Sequence, residues 1–452
     1  MDPNIVASND TIVAPASGSG LAAVALIRIS GPKTRAVLEA LCGGVPEPRH
    51  ASLRDIGPPS RALLDRGLVL WFPGPASFTG EDMAELHVHG SRAVTRAVIE
   101  AVLSLDATRL AEPGEFARRA FENGKLDLTE VEGLADLIGA ETEAQARQAL
   151  AQAEGSLRTL HEGWRRELLH AQALVEAGLD FADEGDVVAD VSLKADAIVA
   201  GLLAGISRHL ADRSGERLRD GLRVVIAGPP NAGKSSLLNA LAKRDVAIVS
   251  EEAGTTRDVI EVHLDLGGLP VMLIDTAGIR EAQGKVEEEG IKRALARAGQ
   301  ADLVLWLVDA TAPQWEASAG LSPGKSGQIP AKDAQIIVLN KIDLARVSGG
   351  PERIEVSAKT GAGLDALVAL LADRARELLS FGAGSPAITR TRHRVELEAG
   401  RGALERFSDR SLSPELKAEE LRIAAHHLGR LTGRIDVEEV LGAIFAEFCI
   451  GK

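Results

Sequence analysis

The sequence predicts a multidomain chain: an α+β segment first, an all-α helical segment in two halves, and an α/β segment inserted between those halves. Three observations carry this reading. Residues 1 to about 122 mix β-like apolar runs with short helical stretches. Glu130 to about Asp212, and again Ala387 onward, are Ala/Leu/Glu/Arg-rich with helical periodicity. Gly221 to about Leu379 alternates apolar strand-like runs with helical stretches, the signature of a parallel sheet.

Taken in order, Val24–Ile29 and Gly67–Phe72 read as strands of the first segment, 1–122. The helical halves are 123–220 and 380–452, and the first has almost no proline. In the inserted part, 221–379, Leu222–Ala227 reads as a buried strand and Ser236–Leu241 as the start of a helix. Pro313–Pro330 is Gly/Ser/Pro-rich and reads as a surface loop.

Composition narrows the class. At 452 residues the chain holds two to four domains, and 45% hydrophobic content is ample for their cores. No apolar run is long enough to span a bilayer, and the first residues lack a signal-peptide plan. Two cysteines, Cys42 and Cys449, make neither a zinc site nor a disulfide framework, so a cytoplasmic location is expected. A net charge of −14 argues against a broad electrostatic grip on nucleic acid. Arg118-Arg119 and Arg390, Arg392, His393, Arg394 are the local basic candidates, and each reads better as a solvated helix face. Aromatic residues make up 3% with no tyrosine, which excludes a base-stacking platform.

Five short segments carry the chemistry. Gly228-Pro-Pro-Asn-Ala-Gly-Lys-Ser235 fits the phosphate-loop pattern G-x-x-x-x-G-K-[ST] between a strand and a helix. Backbone N–H groups of Asn231, Ala232, Gly233, Lys234, Ser235 and Ser236 would face an anion at the helix N-terminus. Lys234 would reach the β/γ-phosphates, and the Ser235 hydroxyl would ligate Mg²⁺. Asp275-Thr276-Ala277-Gly278 ends an apolar run: Asp275 would hold the magnesium shell and the Gly278 amide would sense the γ-phosphate. Asn340-Lys341-Ile342-Asp343 ends another, and Asp343 can accept two hydrogen bonds from guanine that adenine cannot offer. Ser357-Ala358-Lys359 ends a third. In Gly254-Thr255-Thr256-Arg257-Asp258 either threonine can reach the metal.

Two positions stand out. Ile279 follows Gly278 where Ras-like proteins carry the glutamine that orients water, so water must be placed differently or hydrolysis is slow. Asn231 reads equally as a turn residue or as the ligand of a K⁺ that stabilises charge as the phosphate bond breaks.

Segments outside the nucleotide part carry a family resemblance. Asp10–Ala14, Leu26–Gly31, Ser77–Asp82, Glu112–Leu128 and Phe448–Lys452 resemble the MnmE (TrmE) family of tRNA-modification GTPases, over the full length. The resemblance implies a first domain that binds a tetrahydrofolate (5-formyl- or methylene-) and forms a homodimer, a helical domain, and an inserted Ras-like P-loop GTPase domain. It implies action with an FAD-dependent partner, MnmG (GidA), on the wobble uridine of certain tRNAs, adding an aminomethyl or carboxymethylaminomethyl group at carbon 5. It implies K⁺ bound by Asn231, Ser250, Glu252 and Thr255, Mg²⁺ bound by Ser235 and Thr256, and Glu287 orienting water. Arg28, Glu85, Lys125 and Lys452 match its folate-contacting positions. A carboxylate suits the amino-pyrimidine edge of a pterin, and a cation suits the glutamate tail.

Cys449 lacks the context of a prenylation box and reads either as a thiol with chemistry or as a plain cysteine beside the folate pocket. His87 and His89 alternate on one strand face without further ligands for a metal. The competing reading is a GTP-dependent ribosome-assembly or RNA-binding switch of Era type. That reading needs a basic RNA-binding module, which the acidic helical flanks do not offer.

Overall fold

The computed structural model describes residues 10–18, 20–59, 62–180, 185–248, 261–275, 301–312, 335–345, 353–379, 387–435, 441–442, 444–445, 448 and 451. Contacts divide the chain into two compact units. One comprises Met1–Ala135, Gln152–Asp196 and Arg406–Lys452; the other comprises Asp136–Ala151 and Ala197–Glu405. The architecture is the expected one: an α+β segment, helical segments on both sides, and an α/β segment between them. The Pro313–Pro330 loop lies outside the described residues.

The first unit opens with β1 (Thr11–Pro15), β2 (Val24–Ser30), β3 (Ser52–Ile56), β4 (Asp65–Phe72), β5 (Met83–His89) and β6 (Thr108–Leu110). Among the described residues they form one sheet in the order β3-β4-β5-β2-β1-β6, antiparallel except for the β1–β6 pair. Alternation along β2 sends Ala25, Ile27 and Ile29 to one face, where helices Thr34–Cys42 and Arg92–Leu103 cover them with Val37, Leu38, Leu41, Val98 and Val102. Ser91 Oγ starts the second of these helices by accepting from the Val94 amide at 3.1 Å. Arg28, Glu85 and His87 are left on the opposite, half-buried face.

Helix Glu115–Glu122 corrects the reading of Arg118-Arg119 as a solvated pair. Arg118 is exposed, but the Arg119 side chain is 3% exposed and pairs with Asp10 at 2.8 Å, Glu115 at 2.9 Å and Glu81 at 3.1 Å. The second candidate patch is also buried in part. In the other unit Arg390 is paired with Asp136 at 2.8 Å and Arg394 with Glu216 at 2.7 Å, and His393 is wholly buried. Sequence shows a charge but not its partner, and a buried charge persists only when paired and hydrogen-bonded.

Helix Leu128–Ile138 begins with a reciprocal cap. Asp127 Oδ1 accepts from the Glu130 amide at 2.9 Å, and Glu130 Oε2 accepts from the Asp127 amide at 2.7 Å. The helix packs Leu128 and Val131 against Ala117, Ile444, Phe445 and Phe448, which draws the end of the chain back toward the first sheet. Helices Ser156–Asp180 and Pro414–Leu431 lie against each other, burying Leu157, Trp164, Leu168, Leu421, Ala424 and Leu428.

The second unit is built on β7 (Leu222–Ala227), β8 (Glu261–Asp265), β9 (Pro270–Asp275), β10 (Leu303–Asp309), β11 (Gln335–Asn340) and β12 (Arg353–Glu355). Among the described residues their order is β12-β11-β10-β7-β9-β8, parallel except for the β8–β9 hairpin. The parallel strands are near-continuous apolar runs because both faces are covered. Helices Lys234–Ala242 and Leu364–Leu379 contribute Leu237, Leu238, Leu241, Leu367 and Leu371 to the core. Connections leave β7 toward β9 on one side and β10 on the other. The crevice at its carboxyl end is therefore the topological switch point, where such sheets bind ligands.

Candidate functional site

The loop after β7 occupies that crevice. Gly228 has φ +149°, and a Cβ there would stand 2.2 Å from the Leu307 carbonyl oxygen. Gly233 has φ +94°, and its Cβ would stand 2.3 Å from Asn340 Nδ2. Only glycine fits at either position, because the loop must run against β10 and β11. Asn231, exposed at φ +61°, takes a left-handed turn that asparagine tolerates. Together these turns bring the loop into the first turn of helix Lys234–Ala242, an anion-binding arrangement.

Lys234 folds over the loop and donates from Nζ to the Gly228 and Pro229 carbonyls, both at 3.0 Å. Burial holds its pKa below the usual lysine range, against the opposing pull of Asp275. A phosphate would supply the negative charge this ammonium is placed to meet. Ser235 Oγ donates to Asp275 Oδ2 at 2.7 Å, so the hydroxyl and the 1%-exposed carboxylate form an oxygen pair suited to a hard divalent cation.

The Asn340–Asp343 segment is tied to this loop. Asn340 Nδ2 donates to the Ala232 carbonyl at 2.8 Å, and its Oδ1 accepts from the Ala358 amide at 3.0 Å. Ser357 Oγ donates to Asp343 Oδ1 at 2.7 Å, which orients the carboxylate. Lys341, at φ +67°, reaches Asp309 Oδ2 at 2.6 Å. Burial works to raise the Asp309 carboxyl, but hydrogen bonds from Lys341 and Thr311 outweigh it and hold it below the ordinary range. Asp309 was not anticipated from sequence. The available signal was its place: it ends apolar β10 as Asp275 ends β9 and Asn340 ends β11.

Structure thus gathers Asn231, Ala232, Gly233, Lys234, Ser235, Ser236, Asp275, Asn340, Lys341, Asp343, Ser357, Ala358 and Lys359 around the carboxyl ends of β7, β9, β10 and β11. Ser250, Glu252, Thr255, Thr256, Thr276, Ala277, Gly278 and Glu287 lie outside the described residues.

A second polar group sits on the open face of the first sheet. Arg28 and Glu85 are direct cross-strand partners on β2 and β5. Arg28 donates to Glu85 Oε1 from Nε at 3.2 Å and Nη2 at 2.9 Å, and from Nη1 to the Gly451 carbonyl at 3.5 Å. Its guanidinium also lies over the Phe78 and Phe116 rings, each 5.7 Å away. Arg28 occupies Oε1 alone, and Glu85 Oε2 stands 3.7 Å from His87 Nε2. Lys125 Nζ donates to the Pro75 carbonyl at 3.0 Å. His89 pairs with Asp65 at 2.7 Å. Cys449 and Lys452 lie outside the described residues.

Comparison with known proteins decides the family. The model of the GTP-binding protein TrmE N-terminus matches residues 11–125, and that of the MnmE helical domain matches residues 128–449. The chain belongs to the MnmE family. A relative from Parvibaculum lavamentivorans, named tRNA modification GTPase MnmE, is 53% identical over 450 residues, covering 98% of this chain and 100% of its own. A relative of the same name from Rhodopseudomonas palustris (strain BisB5) is 51% identical over 462 residues, covering 98% of this chain and 99% of its own. The G domain of the T. maritima FeoB iron transporter aligns at 26% identity with a TM-score of 0.26, covering 35% of this chain and 99% of its own. This MnmE-family member carries the glycine-bearing loop with Lys234, the Ser235–Asp275 hydroxyl–carboxylate pair and the Asp343 carboxylate held by Ser357.

Proposed function

We propose that this chain hydrolyses GTP with Mg²⁺ and K⁺ and that, with an FAD-dependent partner of the MnmG (GidA) kind, it adds a carboxymethylaminomethyl or aminomethyl group to carbon 5 of the wobble uridine of tRNAs. A folate supplies the one-carbon unit. The observation that carries the GTP part is the Ser235–Asp275 pair at 2.7 Å beside Lys234, at the switch point of a sheet whose neighbouring strands end in Asn340 and Asp309. Ser235 and Thr256 would hold magnesium, which shields phosphate charge when bound. Asn231, Ser250, Glu252 and Thr255 would hold potassium, and Glu287 would orient water.

In the folate reading, the Arg28–Glu85 pair offers a guanidinium and a carboxylate with one oxygen left for a donor edge, flanked by Phe78 and Phe116. Lys125 and Lys452 complete the set. The domains run 1–122 for folate binding and homodimerisation, 123–220 and 380–452 for the two helical halves, and 221–379 for GTP, in a cytoplasmic protein.

The test is steady-state GTP turnover in KCl and NaCl at equal ionic strength, for the native chain and Asn231→Ala. Strong potassium stimulation that disappears in the variant supports the reading. Equal turnover in both salts removes K⁺ from the mechanism and favours an Era-like RNA switch.

A further inference from the structure

The β8–β9 hairpin links two ends of the nucleotide machinery. β8 follows the Gly254–Asp258 segment in the chain, and β9 ends at Asp275, the partner of Ser235. The far end of the hairpin does not stand free. His263 Nδ1, on β8, is 2.7 Å from Glu141 Oε2, and the Gly268 carbonyl in the hairpin turn accepts from the Ala144 amide at 3.1 Å. Segment 136–151 is in turn tied to the chain leading into β7. Gln145 Nε2 donates to the Arg219 carbonyl and Gln148 Nε2 to the Gly215 carbonyl, both at 3.0 Å, and Asp136 pairs with Arg219 at 3.0 Å.

Between segment and hairpin lies a cavity of about 200 Å³, lined by Glu141, Gln145, Arg219, His263, Pro270 and Met272 among others. The hairpin itself is anchored by the β7–β9 ladder and by Leu264, Val271 and Leu273 in the core, but it meets segment 136–151 through a few directional bonds rather than dry packing. A contact of that kind can set a strand's position without locking it.

We propose that Glu141 and His263 are positioning residues for GTP hydrolysis: their hydrogen bond lets segment 136–151 set where the β8–β9 hairpin lies and hence where Asp275 stands. The lever is the strand itself. His263 is the cross-strand partner of Met272, and β9 carries any shift along its length to Asp275, roughly 17 Å from its first residue at ~3.3 Å per residue. By reciprocity, a nucleotide that moves Asp275 changes the hold on segment 136–151. The inference rests on the reading of the chain as a GTPase, but the contact can be tested without turnover.

The experiment uses the full chain with Glu141→Ala, His263→Ala, the double variant and Glu141→Gln, which keeps an acceptor. We expect each single alanine variant to lower kcat about fivefold with KM for GTP within about twofold, and the double to fall no further. Glu141→Gln returns to the native rate. In parallel, amide hydrogen exchange over 139–151 is compared with GDP and with a non-hydrolysable GTP analogue. A nucleotide-dependent difference in the native chain that is lost in His263→Ala supports the proposal even if native turnover is undetectable, an outcome that would instead count against the GTPase reading. Equal exchange in both nucleotides, or independent multiplying losses in the double variant, overturns it.

Discussion

Asn340 Nδ2 donates 2.8 Å to the Ala232 carbonyl, so the residue that ends β11 also props the loop after β7. The same side chain accepts from Ala358 and is 2% exposed. Asn340→Ala leaves both partners unsatisfied in a dry site. The cost expected is about 2–4 kcal/mol of stability together with weaker GDP binding. Urea unfolding and a GDP titration of the variant check this; a variant that unfolds like the native chain refutes the strut.

Ser235 is exposed and makes its side-chain bond to Asp275, so Ser235→Ala removes the proposed magnesium ligand while leaving the apolar core intact. GTP turnover is expected to fall by about a hundredfold, with the melting temperature moving by no more than about 2 °C. Magnesium-dependent turnover and a thermal melt measure the two effects separately.

Around Arg119 the sign of a pH effect can be worked out. Burial works to raise the Glu115 carboxyl, but Arg109, the Glu112 amide and Arg119 outweigh it and hold it below the usual range. A depressed folded-state value means a contribution that is present above the unfolded carboxylate's range and lost as pH falls through the folded one. Stability of the first unit should therefore decline as pH is lowered from about 5 toward 3. Arg119→Met should cost about 3–5 kcal/mol at pH 7, by leaving Glu115, Glu81 and Asp10 without it, and less in acid. Melting curves at pH 7 and pH 4 compare the two; an equal loss at both would rule out charge as the cause.

The reciprocal cap at Asp127 and Glu130 predicts a smaller effect. Asp127→Ala removes the acceptor for the Glu130 amide at the start of helix Leu128–Ile138, at about 1 kcal/mol. Denaturant midpoints for Asp127→Ala and Asp127→Ser, which can still cap, test the assignment, since serine should recover most of the loss.

On the folate reading, Arg28→Ala removes the guanidinium that spans Glu85 and the Gly451 carbonyl. Tetrahydrofolate binding should weaken by at least about tenfold while basal GTP turnover stays native. Calorimetry with the folate and a turnover assay read these independently, and undiminished folate affinity would remove Arg28 from the site.

Legibility followed sequence distance. Lys234, Ser235 and the glycines around them were readable because phosphate binding needs donors on one short loop before one helix turn. Asp275, Asn340 and Ser357 were readable because each ends an apolar run, which places it at a strand's carboxyl end. The alternation of β2 was readable too, but not that Arg28 would meet Glu85, 57 residues away, or Gly451, 423 residues away. Arg119 and Arg394 were misread as solvated because burial depends on carboxylates brought from distant segments.

By itself, then, the sequence determined the class of each segment and the place of the glycine-bearing loop between a strand and a helix, since periodicity and short motifs are local properties. Tertiary structure decided the rest: which carboxylate meets which cation, that Asn340 braces the phosphate loop, and that Glu141 reaches the hairpin bearing Asp275. These pairings depend on strand order and on which buried charges find partners, and neither is written in any local window of residues.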